Sequence, residues 1–130
     1  MGGGTNLINQ KLILDLPAIP GPNRNGGKIT LDKDNNLYVI KGNLKYITKL
    51  QNFRNRGYAD YIGSIYRIDP HSSSAPIDNP FTESNVPNID KTFVWGIRNS
   101  FGLMIDSITR AVWDTENGPF FSDAINLVEQ

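Results

Sequence analysis

The chain contains no cysteine and one histidine in 130 residues. The first absence removes disulfides, thiolate zinc sites and cysteine nucleophiles, and leaves the redox compartment open. The second removes histidine-based zinc sites, which need two or three imidazoles. His71 stands in His71-Ser72-Ser73-Ser74, a loop composition, and is expected to be exposed. Net charge is also lacking: 13 Lys and Arg balance 13 Asp and Glu, so no long-range field steers the chain toward nucleic acid or an anionic membrane. No basic run is interleaved with aromatics, and nucleic acid is not an expected partner. No apolar run approaches the ~20 residues that cross a bilayer as a helix. No Gly-x-Ser-x-Gly elbow surrounds a serine, and Gly26-Gly27 opens a strand rather than a phosphate-cradling helix.

What is present is a series of short β-branched and aromatic runs bounded by Gly, Pro, Asn and Asp, the pattern of an all-β chain. Expected strands are Lys11–Leu16, Lys28–Leu31, Leu37–Ile40, Ser64–Ile68, Phe93–Trp95, Gly102–Asp106, Ala111–Thr115 and Ala124–Val128. Pro17, Pro20 and Pro22 stop the first, because proline has no N–H for a ladder. Residues 44–60 fit a short helix or an irregular loop. Residues 72–90 carry Pro76, Pro80 and Pro87 and read as a long extended connection pinned by Phe81 and Ile89. Two hairpins of one design, turning at Asp32 and at Asp106, suggest a repeated sheet architecture. Trp95 and Trp113 are expected in the core; Asp114 and Glu116 lie at strand spacing on one face, where they form a carboxylate pair or, the commoner case, are solvated acids at a strand end.

Three blocks near the end of the chain carry a resemblance: Gly96-Ile97-Arg98-Asn99-Ser100-Phe101-Gly102-Leu103, Asp114-Thr115-Glu116-Asn117-Gly118-Pro119, and Asp123-Ala124-Ile125-Asn126-Leu127-Val128. In this order and spacing they resemble the glucose/sorbosone dehydrogenase family, the soluble quinoprotein sugar dehydrogenases and their relatives. A weaker block lies at Asn23–Asn43. The resemblance implies a partial six-bladed β-propeller. At roughly 40–50 residues per blade the chain supplies two to three blades of antiparallel sheet. Residues 1–10 then form an irregular segment and 11–130 a piece of the propeller domain. The segment Met1–Asn6 has neither the charged n-region nor the apolar h-region of an export signal, although relatives often work outside the cytoplasm.

The resemblance also implies pyrroloquinoline quinone and calcium as cofactors and a small sugar or polyol as substrate, with hydride passing from a sugar hydroxyl to the quinone. Arg98 and Asn99 match the pair that lies against the quinone, and arginine's planar fork suits carboxylates. Gly118 and Pro119 match the turn whose carbonyls hold calcium, an oxygen-seeking ion. Three positions depart from the family pattern. Arg24 stands where a histidine takes the hydroxyl proton, and a guanidinium stays protonated at any working pH. Arg24 then either holds the anionic cofactor as a counter-charge or is an exposed loop residue. Asn43 replaces an aspartate and Ala124 a glutamate. No residue is therefore assigned as catalytic. The expected function is a sugar dehydrogenase-like protein with impaired oxidation. The alternatives are a propeller module that binds without chemistry, or an incomplete gene fragment.

Overall fold

The computed structural model describes residues 8–16, 23–44, 61–118 and 123–128. Among them lie seven strands: β1 Ile29–Leu31, β2 Leu37–Lys41, β3 Ser64–Ile68, β4 Thr92–Trp95, β5 Ser100–Ile105, β6 Val112–Glu116 and β7 Ala124–Val128. They form two antiparallel meanders, a four-stranded sheet in the order β1-β2-β3-β4 and a three-stranded sheet in the order β5-β6-β7. The all-β expectation holds, with two sheets, at the lower end of the blade count.

Alternation explains the strands. In β2 Tyr38 and Ile40 are buried while Leu37, Val39 and Lys41 are half-buried, so one face turns to the core. β3 lies between β2 and β4, and both Ile65 and Tyr66 are fully buried, one on each face. The two sheets stack through Tyr38, Ile40, Ile65 and Phe93 from the first and Leu103 and Val112 from the second, with Ile97 between them. Each such burial stabilises the fold by about 1.5–3 kcal/mol. Tyr38 meets Phe93 edge to face, with ring centroids 5.2 Å apart, and burial pushes its hydroxyl pKa up to about 12.

The two expected hairpins share their turn chemistry. Asp32 Oδ1 accepts from the N–H groups of Asp34 and Asn36, and Asp106 Oδ1 accepts from those of Ile108 and Thr109. Asn35 and Arg110 take the left-handed conformation that closes each turn. Asp69 repeats the device after β3, accepting from His71 N–H and Ser72 Oγ–H, with Ser73 left-handed. His71 is exposed, as expected.

Several expectations need correction. Lys11–Leu16 is not a strand: among the described residues no strand pairs with it, Leu12 is exposed, and β propensity without a ladder does not make a sheet. The 72–90 connection is built of turns rather than extended chain. Ile89 pins it as expected, whereas Phe81 is only half-buried; Asn79, whose Nδ2 donates to the carbonyls of Arg67 and Asp90, is the second anchor. Trp95 and Trp113 are half-buried rather than core. The helix-or-loop stretch, from residue 45 onward, and Pro17, Pro20, Pro22 and Pro119 lie outside the described residues.

Candidate functional site

Four chain segments meet at the end of the sheets away from the Asp32 and Asp106 turns. They are laced by backbone bonds. Gly63 N–H donates to the Gly42 carbonyl at 3.1 Å, and Gly96 and Ile97 N–H donate to the Gly63 carbonyl at 2.8 Å each. Asn43 N–H donates to the Arg98 carbonyl at 2.9 Å, and Leu44 N–H to the Arg24 carbonyl at 3.1 Å. Gly42 makes this crossing possible: a Cβ there would fall 2.1 Å from the Arg24 carbonyl oxygen and 3.2 Å from that of Arg98. Arg24 itself is half-buried and left-handed, with φ 59°. The loop arginine at residue 24 and the Arg98 turn, 74 positions apart in sequence, are thus fixed against one another through Gly42-Asn43.

Arg98 is buried, and its side chain is committed. Nη1 donates to the carbonyls of Asn117 at 2.6 Å and Gly118 at 2.7 Å. Its backbone N–H donates to Glu116 Oε1. Burial lowers the guanidinium pKa, the nearby Arg24 charge lowers it further, and Glu116 and Asp123 oppose them. Asn99 is half-buried and loosely held, with Nδ2 3.5 Å from Asn117 Oδ1. Asp123 Oδ1 accepts from Gly118 N–H at 3.0 Å and from Asn117 Nδ2 at 3.1 Å, which shapes the turn from outside. Asn43 is buried, and among the described residues its Oδ1 has no hydrogen-bond partner.

The carboxylates of β6 overturn the expectation of solvated acids. Asp114 is fully buried; its Oδ1 accepts from Ser100 Oγ–H and its Oδ2 from Asn126 Nδ2 at 3.3 Å. Glu116 Oε2 accepts from the same Asn126 nitrogen at 3.4 Å. Burial raises the Glu116 pKa, and the Asp114 charge raises it again; the Arg98 N–H bond pulls the other way. Ser100 and Asn126 were not singled out as site residues. The signal for them was register: Ser100 pairs with Glu116 across β5–β6, and Asn126 with Asp114 across β6–β7. The four polar side chains therefore form a platform under the Arg98 turn.

Arg24, Arg98, Asn99 and Gly118 are brought to one end of the molecule. Two adjacent arginines with only partial compensation favour an anionic group, and Asn99 has donor capacity to spare. The residues thus fit a carboxylate-bearing quinone. They do not fit calcium on Gly118 in this arrangement. That carbonyl already accepts from the Arg98 cation, and a divalent ion on the same oxygen would sit against a guanidinium. Among the described residues no three His, Asp or Glu side chains converge to hold a metal. A shallow hollow of about 430 Å3 adjoins the site, lined by Phe101, Glu116, Asn117, Asp123 and Ala124 among others. The larger cleft, about 570 Å3, lies at the opposite end between Asp32, Arg67, Asp106 and Arg110, and contains none of the expected site residues.

The model of the glucose/sorbosone dehydrogenase family matches residues 4–130. An uncharacterized protein of Synechocystis is 31% identical over 135 residues, covering 98% of this chain and 32% of its own length. Among solved structures, an oxidoreductase of Thermus thermophilus described as a glucose dehydrogenase superposes with a TM-score of 0.72 at 29% identity, over 92% of this chain and 35% of that one. The soluble aldose sugar dehydrogenase of Escherichia coli, in its apo form, superposes with a TM-score of 0.68 at 25% identity, over 85% and 30%. The chain spans about a third of the length of these relatives.

Proposed function

The chain belongs to the glucose/sorbosone dehydrogenase family, its two sheets forming part of that family's six-bladed β-propeller, and from this premise we propose that it is a sugar dehydrogenase-like protein that binds the anionic quinone without completing sugar oxidation. The observation that carries the reading is the placement of Arg24 beside the Arg98 turn. Their segments are joined through Gly42-Asn43, and the Arg24 charge helps to lower the Arg98 pKa. A polycarboxylate placed there would relieve that repulsion. Arg98, whose Nη1 is anchored to the Asn117 and Gly118 carbonyls, orients rather than searches; Asn99 and Arg24 supply further donors.

When bound, the quinone supplies a hydride acceptor. This chain's residues supply binding and orientation but no base to receive the hydroxyl proton. Arg24, at the family's histidine position, holds its proton throughout the working range. Glu116 Oε1 accepts from Arg98 N–H and its Oε2 from Asn126 Nδ2, which holds the carboxylate beneath the Arg98 turn. The substrate class that this reading leaves to the site is a small sugar or polyol, bound beside the quinone.

The test is titration with pyrroloquinoline quinone, with and without calcium, followed by thermal or urea unfolding. Quinone at a hundredfold excess over its dissociation constant should add about 2.7 kcal/mol. Calcium should not be required for that gain. Dye reduction with aldoses should stay at background. Absence of any quinone-dependent stabilisation would remove the reading, and dye reduction at rates typical of an intact dehydrogenase would remove the claim of impairment.

A further inference from the structure

The chain holds two Asn-Gly pairs, Asn25-Gly26 and Asn117-Gly118. Asparagine before glycine is the sequence in which a backbone nitrogen reaches the preceding side-chain amide most freely, because glycine has no Cβ to hinder the approach. The two pairs are set differently. Gly26 is packed into the first sheet: a Cβ there would fall 2.7 Å from the Ile40 carbonyl oxygen and 2.8 Å from Gly42 N, and the Asn25 carbonyl accepts from Gly42 N–H. Asn117-Gly118 lies instead in the turn after β6, where one carboxylate oxygen serves both nitrogens of the pair. Asp123 Oδ1 accepts from Gly118 N–H at 3.0 Å and from Asn117 Nδ2 at 3.1 Å. Two further contacts act on the same residues. Arg98 Nη1 donates to the Asn117 carbonyl at 2.6 Å, so a cation sits on the peptide whose nitrogen belongs to Gly118. Asn99 Nδ2 stands 3.5 Å from Asn117 Oδ1.

We propose that Asn117-Gly118 is a self-modifying site at which Asp123 transfers the proton. Gly118 N attacks Asn117 Cγ, and that bond forms as the bond from Cγ to Nδ2 breaks. Asp123 takes the Gly118 amide proton and passes it to Nδ2, which leaves with the bonding pair as ammonia. The product is a five-membered succinimide. One water then opens it, at Cγ to give aspartate at residue 117 or at the main-chain carbonyl to give isoaspartate; an amide and a water become an acid and ammonia. Each contact assists a different part of the step. The Arg98 cation draws charge from the peptide between Asn117 and Gly118 and eases loss of the N–H proton. Asn99 Nδ2 faces the oxygen on which negative charge develops as Gly118 N adds. Holding attacker and leaving group on one base replaces a chance encounter with a fixed one. The modification takes a donor away from Asp123 and sets a second carboxylate beside it, and isoaspartate also lengthens the main chain ahead of Gly118. Both loosen the carbonyl pair that Arg98 holds, so Arg98 loses its turn as the protein ages.

This inference does not depend on the quinone. The test is incubation of the full chain near neutral pH in water enriched in heavy oxygen, then proteolysis, peptide mass mapping and an isoaspartate methyltransferase assay. Only product formed during the incubation carries the label. The Asn117-Gly118 peptide should convert at least about tenfold faster in the folded chain than in the chain unfolded in urea, a modest share of what a positioned general base contributes. The Asn25-Gly26 peptide should convert more slowly folded than unfolded. Asp123→Asn keeps an acceptor oxygen but takes no proton, and should bring the folded rate at Asn117 down to the unfolded one. Asn99→Ala should slow it less. A folded chain in which Asn117 converts no faster than in urea overturns the proposal, and that comparison needs no variant to fold. So does faster conversion in Asp123→Asn, which would make Asp123 a brace that protects the amide.

Discussion

The Arg98 guanidinium directs one nitrogen, Nη1, at two successive carbonyls, Asn117 at 2.6 Å and Gly118 at 2.7 Å. Both acceptors belong to the turn that follows β6, so one buried cation ties the β4–β5 link to the β6–β7 link. Arg98→Ala leaves those carbonyls without their donor, and hydrogen bonds to a charged group contribute about 1.5–3 kcal/mol. A loss of about 2–3 kcal/mol in urea unfolding is expected. Arg98→Lys keeps the charge but not the planar fork and should recover less than half of it. Full recovery by lysine would show that charge alone, and not the fork, holds the turn.

Glu116 gives the fold a pH dependence of unusual sign for a carboxylate. Its pKa is raised from an ordinary 4.5 by burial first and by Asp114 second. The native state therefore binds the proton more tightly than the unfolded chain. Its contribution to stability is full below about pH 4.5 and is lost as pH rises through the raised value. Asp69, Asp78 and Asp106 act oppositely: hydrogen bonds hold their pKa values below 3.8, so their contributions are present above that value and are lost on acidification. Glu116→Gln keeps the acceptor for Arg98 N–H and removes the titration. The difference between variant and wild type should grow in the variant's favour from pH 4.5 toward neutrality. A flat difference across that window would show that Glu116 does not titrate abnormally.

Gly42 is placed by sterics rather than by backbone sign. Its missing Cβ leaves room for the Arg24 carbonyl, which would otherwise lie 2.1 Å away. The clashing atoms are backbone on both sides and cannot swing aside. Gly42→Ala should cost about 1–3 kcal/mol, in the range of overpacked sites. It should also weaken quinone-dependent stabilisation by separating Arg24 from Arg98. Gly27→Ala meets nothing within 4 Å and carries only the strain of its positive φ, so quinone binding should survive it. Equal losses of binding in both variants would break the link between the Gly42 crossing and the site.

Much of the sheet structure was legible because alternation and turn residues are local. Ser64–Ile68 and Ala124–Val128 fall at the expected bounds, and the Asp32 and Asp106 turns recur as expected. What was not legible depended on partners. Lys11–Leu16 has strand composition and no strand beside it among the described residues. Asp114 and Glu116 look solvated in sequence because acidic residues at strand ends usually are. They are buried because Ser100 and Asn126 reach them from neighbouring strands. Trp113 has the composition of a core residue but lies in the outer-face row with Met104 and Leu127, half-buried. The engagement of Gly118 by Arg98 could not be read from two motifs that each match their family pattern separately.

Arg24 and Asn43 offer the sharpest probe of the proposed impairment. Asn43 is 2% exposed and its Oδ1 has no partner among the described residues, so Asn43→Asp alone buries a carboxylate with no described donor at that atom. It should destabilise the fold, since burying an uncompensated charge is costly. Arg24→His alone supplies an imidazole without the carboxylate the family pattern has at residue 43, and should leave sugar oxidation at background. Together they restore an imidazole–carboxylate pair across the Gly42 crossing. The double variant should be more stable than the sum of the single changes by about 1–3 kcal/mol, the range for groups in contact. With quinone present it should also gain measurable dye reduction. Additivity within about 0.5 kcal/mol would place the two side chains out of reach of each other. In that case the missing base at residue 24 would not be what separates this chain from an active dehydrogenase.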